Sequence, residues 1–110
     1  MAVTKRDEFE KAEITLADLA KALSHPARIS ILKVLAKNNE CICGEIVEIL
    51  PLSQSTVSQH LKELVKVGLI KGKVEGVTSC YCINWKKMDE LKSILDKFFT
   101  HTEKLKLNCC

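Results

Sequence analysis

Gly44-Glu-Ile-Val-Glu-Ile-Leu-Pro-Leu-Ser-Gln-Ser-Thr-Val-Ser-Gln-His-Leu-Lys-Glu-Leu64 reads as two helices separated by a tight turn. That is the grammar of a helix-turn-helix DNA reader. The first helix, about 44–50, is short and ends at Pro51, which disfavours helical geometry in the residue before it. Ser53 is a good cap for the second, which closes at Gly68. Val57, Leu61, Leu64 and Val65 follow an i, i+4, i+7, i+8 spacing and form its apolar side. At roughly 100° per residue, Ser55, Gln59, Lys62 and Lys66 fall opposite, with Thr56 and Ser58 flanking. These hydroxyl, amide and ammonium groups are the kind that reach base edges and phosphates. Gln54, Ser55, Thr56, Ser58, Gln59 and Lys62 are therefore the candidate DNA contacts.

Directly ahead of this unit stands Cys41-Ile42-Cys43. Two soft thiols at the start of a helix are placed where a bound ion could push on the reader. Within a regular helix, side chains at i and i+2 diverge. A chelating pair there has to bend or unwind the helix start, a route from ligand to displaced reading helix.

Outward from this unit, a helical stripe covers about Phe9 to Leu23, through Ala12, Leu16, Leu19 and Ala20. A second helix starts at Ser24-His25-Pro26 with Ser24 as its cap and ends at Lys37-Asn38-Asn39. After Gly68, the runs 69–74 and 77–83 flank a Glu75-Gly76 turn and read as a two-stranded hairpin. A hairpin after a recognition helix is a wing, and Lys71 and Lys73 on it suit a neighbouring phosphate. A last helix, about 85–107, carries Met88, Leu91, Leu95, Phe98, Thr102 and Leu105 at 3–4 spacing. That stripe exceeds what a small core needs and implies a dimer contact shared with the first helix. The fold expected is mainly α, a winged helix-turn-helix of about five helices plus a two-stranded wing, in one domain spanning 1–110.

Composition limits the alternatives. With 46% hydrophobic residues in 110, the core is modest. Net charge is +3, too low for binding nucleic acid through bulk charge, so local placement of Lys and Arg must carry it. No apolar run approaches the roughly 18 residues of a bilayer span. The mixed-charge start, Met1-Ala-Val-Thr-Lys-Arg-Asp-Glu8, does not read as a secretory signal. A cytoplasmic protein without membrane contact is expected. There, six cysteines in three close pairs, Cys41/Cys43, Cys80/Cys82 and Cys109/Cys110, read as ligands or redox groups and not as structural disulfides. Cys80 and Cys82 alternate onto one face of the second wing strand, either packing there or forming a second thiol site. His25, His60 and Trp85 read as structural, and His101 stands alone.

Together, Ala22-Leu-Ser-His-Pro-Ala-Arg-Ile29, Glu40-Cys-Ile-Cys43, Leu52-Ser-Gln-Ser-Thr-Val-Ser-Gln-His-Leu61, Gly68-Leu-Ile70 and the wing resemble the ArsR/SmtB family of metal- and thiol-responsive winged-helix repressors. The resemblance covers about 16–99. It implies a homodimer that binds a palindromic double-stranded operator and leaves it when an inducer binds. The Glu-Cys-x-Cys box resembles the thiolate site of arsenic, antimony, cadmium and lead sensors. Cys41 and Cys43 are accordingly the expected ligands of As(III) or Sb(III) first, Cd(II) or Pb(II) next, with no cofactor needed for DNA binding. The arsenic sensors commonly add a cysteine three residues on, where this chain has Ile46. Cys109 or Cys110 is then the candidate third ligand, since some relatives donate C-terminal cysteines across the dimer. The zinc-sensing branch uses Asp and His on the last helix. Asp89 and His101 lack the second His of that set.

Two rival readings share the sequence. Paired thiols also suit a repressor that senses oxidants or persulfide through a disulfide or polysulfide bridge. A winged-helix interaction or metal-trafficking module is the other, weakened by the absence of Cys-x-x-Cys. No Ser-His-acid, paired-carboxylate or phosphate-loop constellation points to an enzyme.

Overall fold

A computed structural model describes residues 8–38, 41–43, 50–75 and 78–107, the side chains of 38, 43, 73–75, 78 and 79 lying outside the described part. The order is α1 (Lys11–Ala22), α2 (Pro26–Asn38), β1 (Ile42–Cys43), α3 (Gln54–Lys66), β2 (Ile70–Glu75), β3 (Thr78–Ile83) and α4 (Trp85–Lys104). The short helix expected over 44–50 falls mostly on 44–49, outside the described residues, so four helices are described.

Each helix start has a local cause. At α1 the Glu10 N–H donates to Glu13 Oε1 at 3.0 Å. At α2 the cap is His25, not Ser24: the Ala27 N–H donates to His25 Nδ1 at 3.0 Å. Ser24 instead turns its hydroxyl onto the Lys21 carbonyl at 2.6 Å, closing the end of α1. At α4 the Asn84 side chain accepts from the Lys87 N–H at 3.3 Å. The end of α3 needs Gly68, whose φ of +83° few L residues adopt. There the Gly68 N–H donates to the Val65 carbonyl and the Leu69 N–H to the Leu64 carbonyl. Those two bonds form a Schellman motif and turn the chain into the wing.

The core includes Leu19, Ile31, Leu35, Val57, Leu61, Leu64, Leu69 and Ile70, together with Ala22, Leu32, Ile42, Ile83 and Leu91. It joins all four helices to the inner face of the sheet. β2 and β3 pair antiparallel from Ile70↔Ile83 to Glu75↔Thr78. Glu75, expected inside the turn, instead closes β2 as the register partner of Thr78, and 76–77 lie outside the described residues. The expected hairpin gains a third strand, for β1 pairs with β3 through Ile42↔Tyr81 and Cys43↔Cys80, giving the order β1-β3-β2. Cys41-Ile42-Cys43 thus leads into an extended strand, not the helix start expected of it. Buried Ile42 anchors that strand in the core.

Candidate nucleic-acid interface and thiol site

Helix α3 presents two different sides. Val57, His60, Leu61 and Leu64 are buried. Gln54, Ser55, Thr56, Gln59, Lys62 and Lys66 are exposed, and Ser58 is half-buried. Of the expected DNA contacts on α3, all but Ser58 therefore stand open to a partner. The Ser53 hydroxyl oxygen accepts from the Thr56 N–H at 3.4 Å and lies 2.9 Å from Thr56 Oγ1 and 3.3 Å from Ser55 Oγ. Three hydroxyls thus cluster at a helix N-terminus whose first turn holds no acid. The helix dipole and free N–H groups make that end favourable to anions.

The wing flanks this helix. Lys71 on β2 is exposed, and Lys73 holds a place on the same strand with its side chain outside the described part. The wing fits closely on α3 at Gly72. A Cβ there would lie 2.9 Å from Tyr81 Cε1 and 3.3 Å from Val65 Cγ2. Val65, expected on the apolar side, is partly exposed at 39% and serves mainly as this contact.

What sets the angle of α3 is a polar knot that sequence reasoning did not find. Arg28 Nε donates to His60 Nδ1 at 3.1 Å, and Arg28 Nη1 donates to the Lys21 carbonyl at 3.0 Å. One guanidinium so ties the end of α1 and the start of α2 to the buried side of α3. The His25 ring stacks obliquely on His60, with centroids 4.3 Å apart. Burial, with His25 and Arg28 nearby, pushes the His60 imidazole below its ordinary pKa of 6.5. The Arg28 bond also requires a lone pair on Nδ1, so His60 is neutral with its proton on Nε2. The structural role expected of His25 and His60 is what this geometry provides. The only sequence signal for it was Arg28 beside His25-Pro26.

The cysteines assemble across the sheet. Cys41 and Cys82, 41 residues apart, form a disulfide with a Cα–Cα separation of 4.4 Å. Cys80 is disulfide-bonded as well. The close pairs were expected to remain reduced local ligands. Instead the first pair meets the second because antiparallel β1 and β3 carry them in register, Cys43 opposite Cys80 and Cys41 one step beyond, at Cys82. Alternation along a strand places Cys41, Cys80 and Cys82 on the sheet face opposite Ile42 and Ile83. Cys41 is exposed and the other two half-buried. On the far side of β3, Lys71 is the register partner of Cys82 and Lys73 that of Cys80. The signal was present in the repeated Cys-x-Cys spacing. The pairing needed β1 to be an extended strand. Cys109 and Cys110 lie outside the described residues. Among the described residues no group of three His, Cys, Asp or Glu side chains is arranged to hold a metal ion, and no helix is long and apolar enough to cross a membrane.

Comparison with known proteins agrees with this architecture. Residues 25–71, from the α2 cap into the wing, match the bacterial regulatory protein, arsR family. The chain is 36% identical to the HTH-type transcriptional regulator MJ1325 of Methanocaldococcus jannaschii, over 83% of this chain and 98% of that one. It is 33% identical to the arsenical resistance operon repressor of Staphylococcus xylosus, over 74% and 77%. It is 31% identical to the cadmium resistance transcriptional regulatory protein CadC homolog of Staphylococcus aureus, over 88% and 78%. Among solved structures, the ArsR-like transcriptional regulator from Rhodococcus sp. RHA1 has the same fold, with a TM-score of 0.72 at 21% identity over 86% and 89% of the two chains. These relatives are regulators of transcription, not enzymes. The chain belongs to the ArsR/SmtB family of winged-helix, DNA-binding transcriptional repressors.

Proposed function

We propose that this chain acts in the cytoplasm as a homodimeric repressor of a palindromic operator, released when a soft metal or metalloid ion binds cysteine thiolates. The observation that carries the DNA half is the exposed, acid-poor outer side of α3 beside a lysine-bearing wing. Gln54, Ser55, Thr56, Ser58, Gln59 and Lys62 read the groove, and Lys71 and Lys73 hold the flanking phosphates. A net charge of +3 per chain is doubled by dimerisation. The dimer uses α1 with the outer end of α4, where Phe98, Phe99 and Leu105 are 46%, 58% and 64% exposed. Aromatic and aliphatic groups left open along one helix suit a second copy.

Cys41 and Cys43 are the proposed ligands. An extended backbone puts positions 41 and 43 on one face of the strand, so a pair of sulfurs there chelates without unwinding a helix. Exposed Cys41 is open to an incoming ion. Soft thiolates favour As(III), Sb(III), Cd(II) and Pb(II) over hard, oxygen-seeking ions. The names of the arsenical and cadmium resistance relatives support that class. Two thiolates leave a three-coordinate site one short, and Cys109 or Cys110 supplies the third. Binding requires the dithiol, so a Cys41–Cys82 bridge must first be reduced. By linkage, DNA weakens ion binding by the same factor as the ion weakens DNA binding. The test is the double variant Cys41→Ser with Cys43→Ser, which keeps its operator affinity and loses release by arsenite. Unchanged release by arsenite rejects the site.

A further inference from the structure

Two cysteines of the wing are not used by the reading above, and one of them is bonded to a residue that is. We propose that Cys41 and Cys82 form a reversible dithiol–disulfide couple, closed by hydroperoxides and opened by thiols, which locks the soft-ion site and ties β1 to the wing. The inference rests on the proposed ion site only for what the lock shuts off. The couple itself stands on the geometry.

Three observations carry it. Cys41 and Cys82 are already bonded across the sheet, with Cα atoms 4.4 Å apart, within the span that a disulfide bridges. Beside the bridge, β1 is held to β3 by the backbone pairs Ile42↔Tyr81 and Cys43↔Cys80, with Ile42 buried beneath it, contacts that do not depend on the Cys41–Cys82 bond. The two sulfurs therefore stay close enough to close again. Cys41 is exposed, so oxidant and reductant both have access.

Closure proceeds in two steps. The Cys41 thiolate attacks a hydroperoxide oxygen and the O–O bond breaks. The leaving alkoxide takes a proton and departs as an alcohol, or as water from hydrogen peroxide, leaving Cys41 as a sulfenic acid. The Cys82 sulfur then displaces the hydroxyl, which leaves as water with the Cys82 proton. Two thiols lose two electrons, and the peroxide is the acceptor. Opening is thiol–disulfide exchange, in which an external dithiol reduces the bridge and is itself oxidised. A bridged Cys41 has no thiolate to offer an ion, so an oxidised repressor ignores the inducer. A bridge on the strand that pairs with Lys71 and Lys73 also stiffens the lysine-bearing edge against α3.

The experiment treats the reduced full chain with hydrogen peroxide, alkylates free thiols with iodoacetamide, and assigns the bridged tryptic peptides by fragment-ion mass spectrometry, which separates Cys41 from Cys43 and Cys80 from Cys82 within their shared peptides. In parallel, Cd(II) is titrated by its thiolate charge-transfer absorbance. The Cys41–Cys82 peptide appears with peroxide and disappears with dithiothreitol, and Cd(II) binding is lost and regained with it. In Cys82→Ser, shown folded by a thermal melt matching reduced wild type, the same peroxide dose leaves Cys41 as a sulfenic acid that dimedone traps, with no bridge to residue 82. Alkylated Cys41 and Cys82 after peroxide, a different partner for Cys41, or a bridge that dithiothreitol does not open each overturn the couple. If the bridge opens and closes while the reduced chain takes up no Cd(II), the couple stands and the ion site fails.

Discussion

Reducing the Cys41–Cys82 bridge should lower the stability of the fold by an amount set by chain entropy. The bridge spans a sequence separation of 41. Restricting an unfolded chain by a loop of that size is worth about 4 kcal/mol at 25 °C, between the values for loops of 15 and 100 residues. A domain of this length has a total stability of about 5–15 kcal/mol, so the bridge is a large share of it. The loop encloses α3 and β2 entire, hence the recognition helix and half the wing gain most. Chemical unfolding in urea, followed by circular dichroism with and without reductant in a Cys80→Ser background, reads the effect. With a urea slope of about 1–3 kcal/mol per molar, the midpoint should fall by about 2 M on reduction. The slope should rise on reduction, because the unlinked unfolded chain exposes more surface to urea. A midpoint unmoved by reduction, with mass spectrometry showing the bridge intact beforehand, would rule out this entropic stabilisation. It would mean that the unfolded chain already keeps β1 and β3 together.

Three further outcomes follow from particular contacts. His60 has its folded pKa held below the ordinary 6.5 by burial and by His25 and Arg28. Its contribution to stability is therefore whole above pH 6.5, falls as the pH drops from there towards the folded value, and levels off beneath it. A urea midpoint series against pH, compared between wild type and His60→Gln, should show that slope in wild type and its loss in the variant. Gly68→Ala has room for its Cβ, whose nearest neighbours are Lys87 side-chain carbons at 3.8 Å, but must hold a φ of +83°. It should cost about 1–2 kcal/mol in thermal or urea unfolding, and Gly68→Asn should cost less. Phe98→Glu with Phe99→Glu puts charge on the exposed end of α4 and should shift the chain from dimer to monomer in analytical ultracentrifugation, with its circular dichroism spectrum unchanged.

The winged helix-turn-helix was legible because its signals are local. Ser53, the Val57-Leu61-Leu64 stripe and Gly68 each act within a turn or two of chain, and α3 begins and ends where they place it. The wing followed from a turn signal between two runs of strand-forming residues, although Glu75, read as part of the turn, is paired within β2. What was missed is long-range. The repeated Cys-x-Cys spacing did not by itself announce that Cys41 meets Cys82, because β1 is two residues long and is a strand only through pairing with β3. A run that short carries no periodicity of its own, and its polar approach reads equally well as a helix start. Arg28 posed the same problem, since its partner His60 lies 32 positions away on another helix. The outer face of α3 needed no partner to be read, and its exposed Gln54, Ser55, Thr56, Gln59 and Lys62 are where their spacing put them.

In the proposed cycle α3 and the wing hold operator DNA, and thiolate chemistry at Cys41 releases it. Fluorescence anisotropy of a labelled duplex from upstream of the chain's own gene, with fully reduced protein, tests both parts. Binding should be tight, weaken steeply with salt, be reduced by Lys62→Ala, and be abolished by arsenite or Cd(II) but not by Mg(II). Tight binding indifferent to every soft ion would contradict the inducer, and no binding to any duplex would contradict the DNA-reading role of α3.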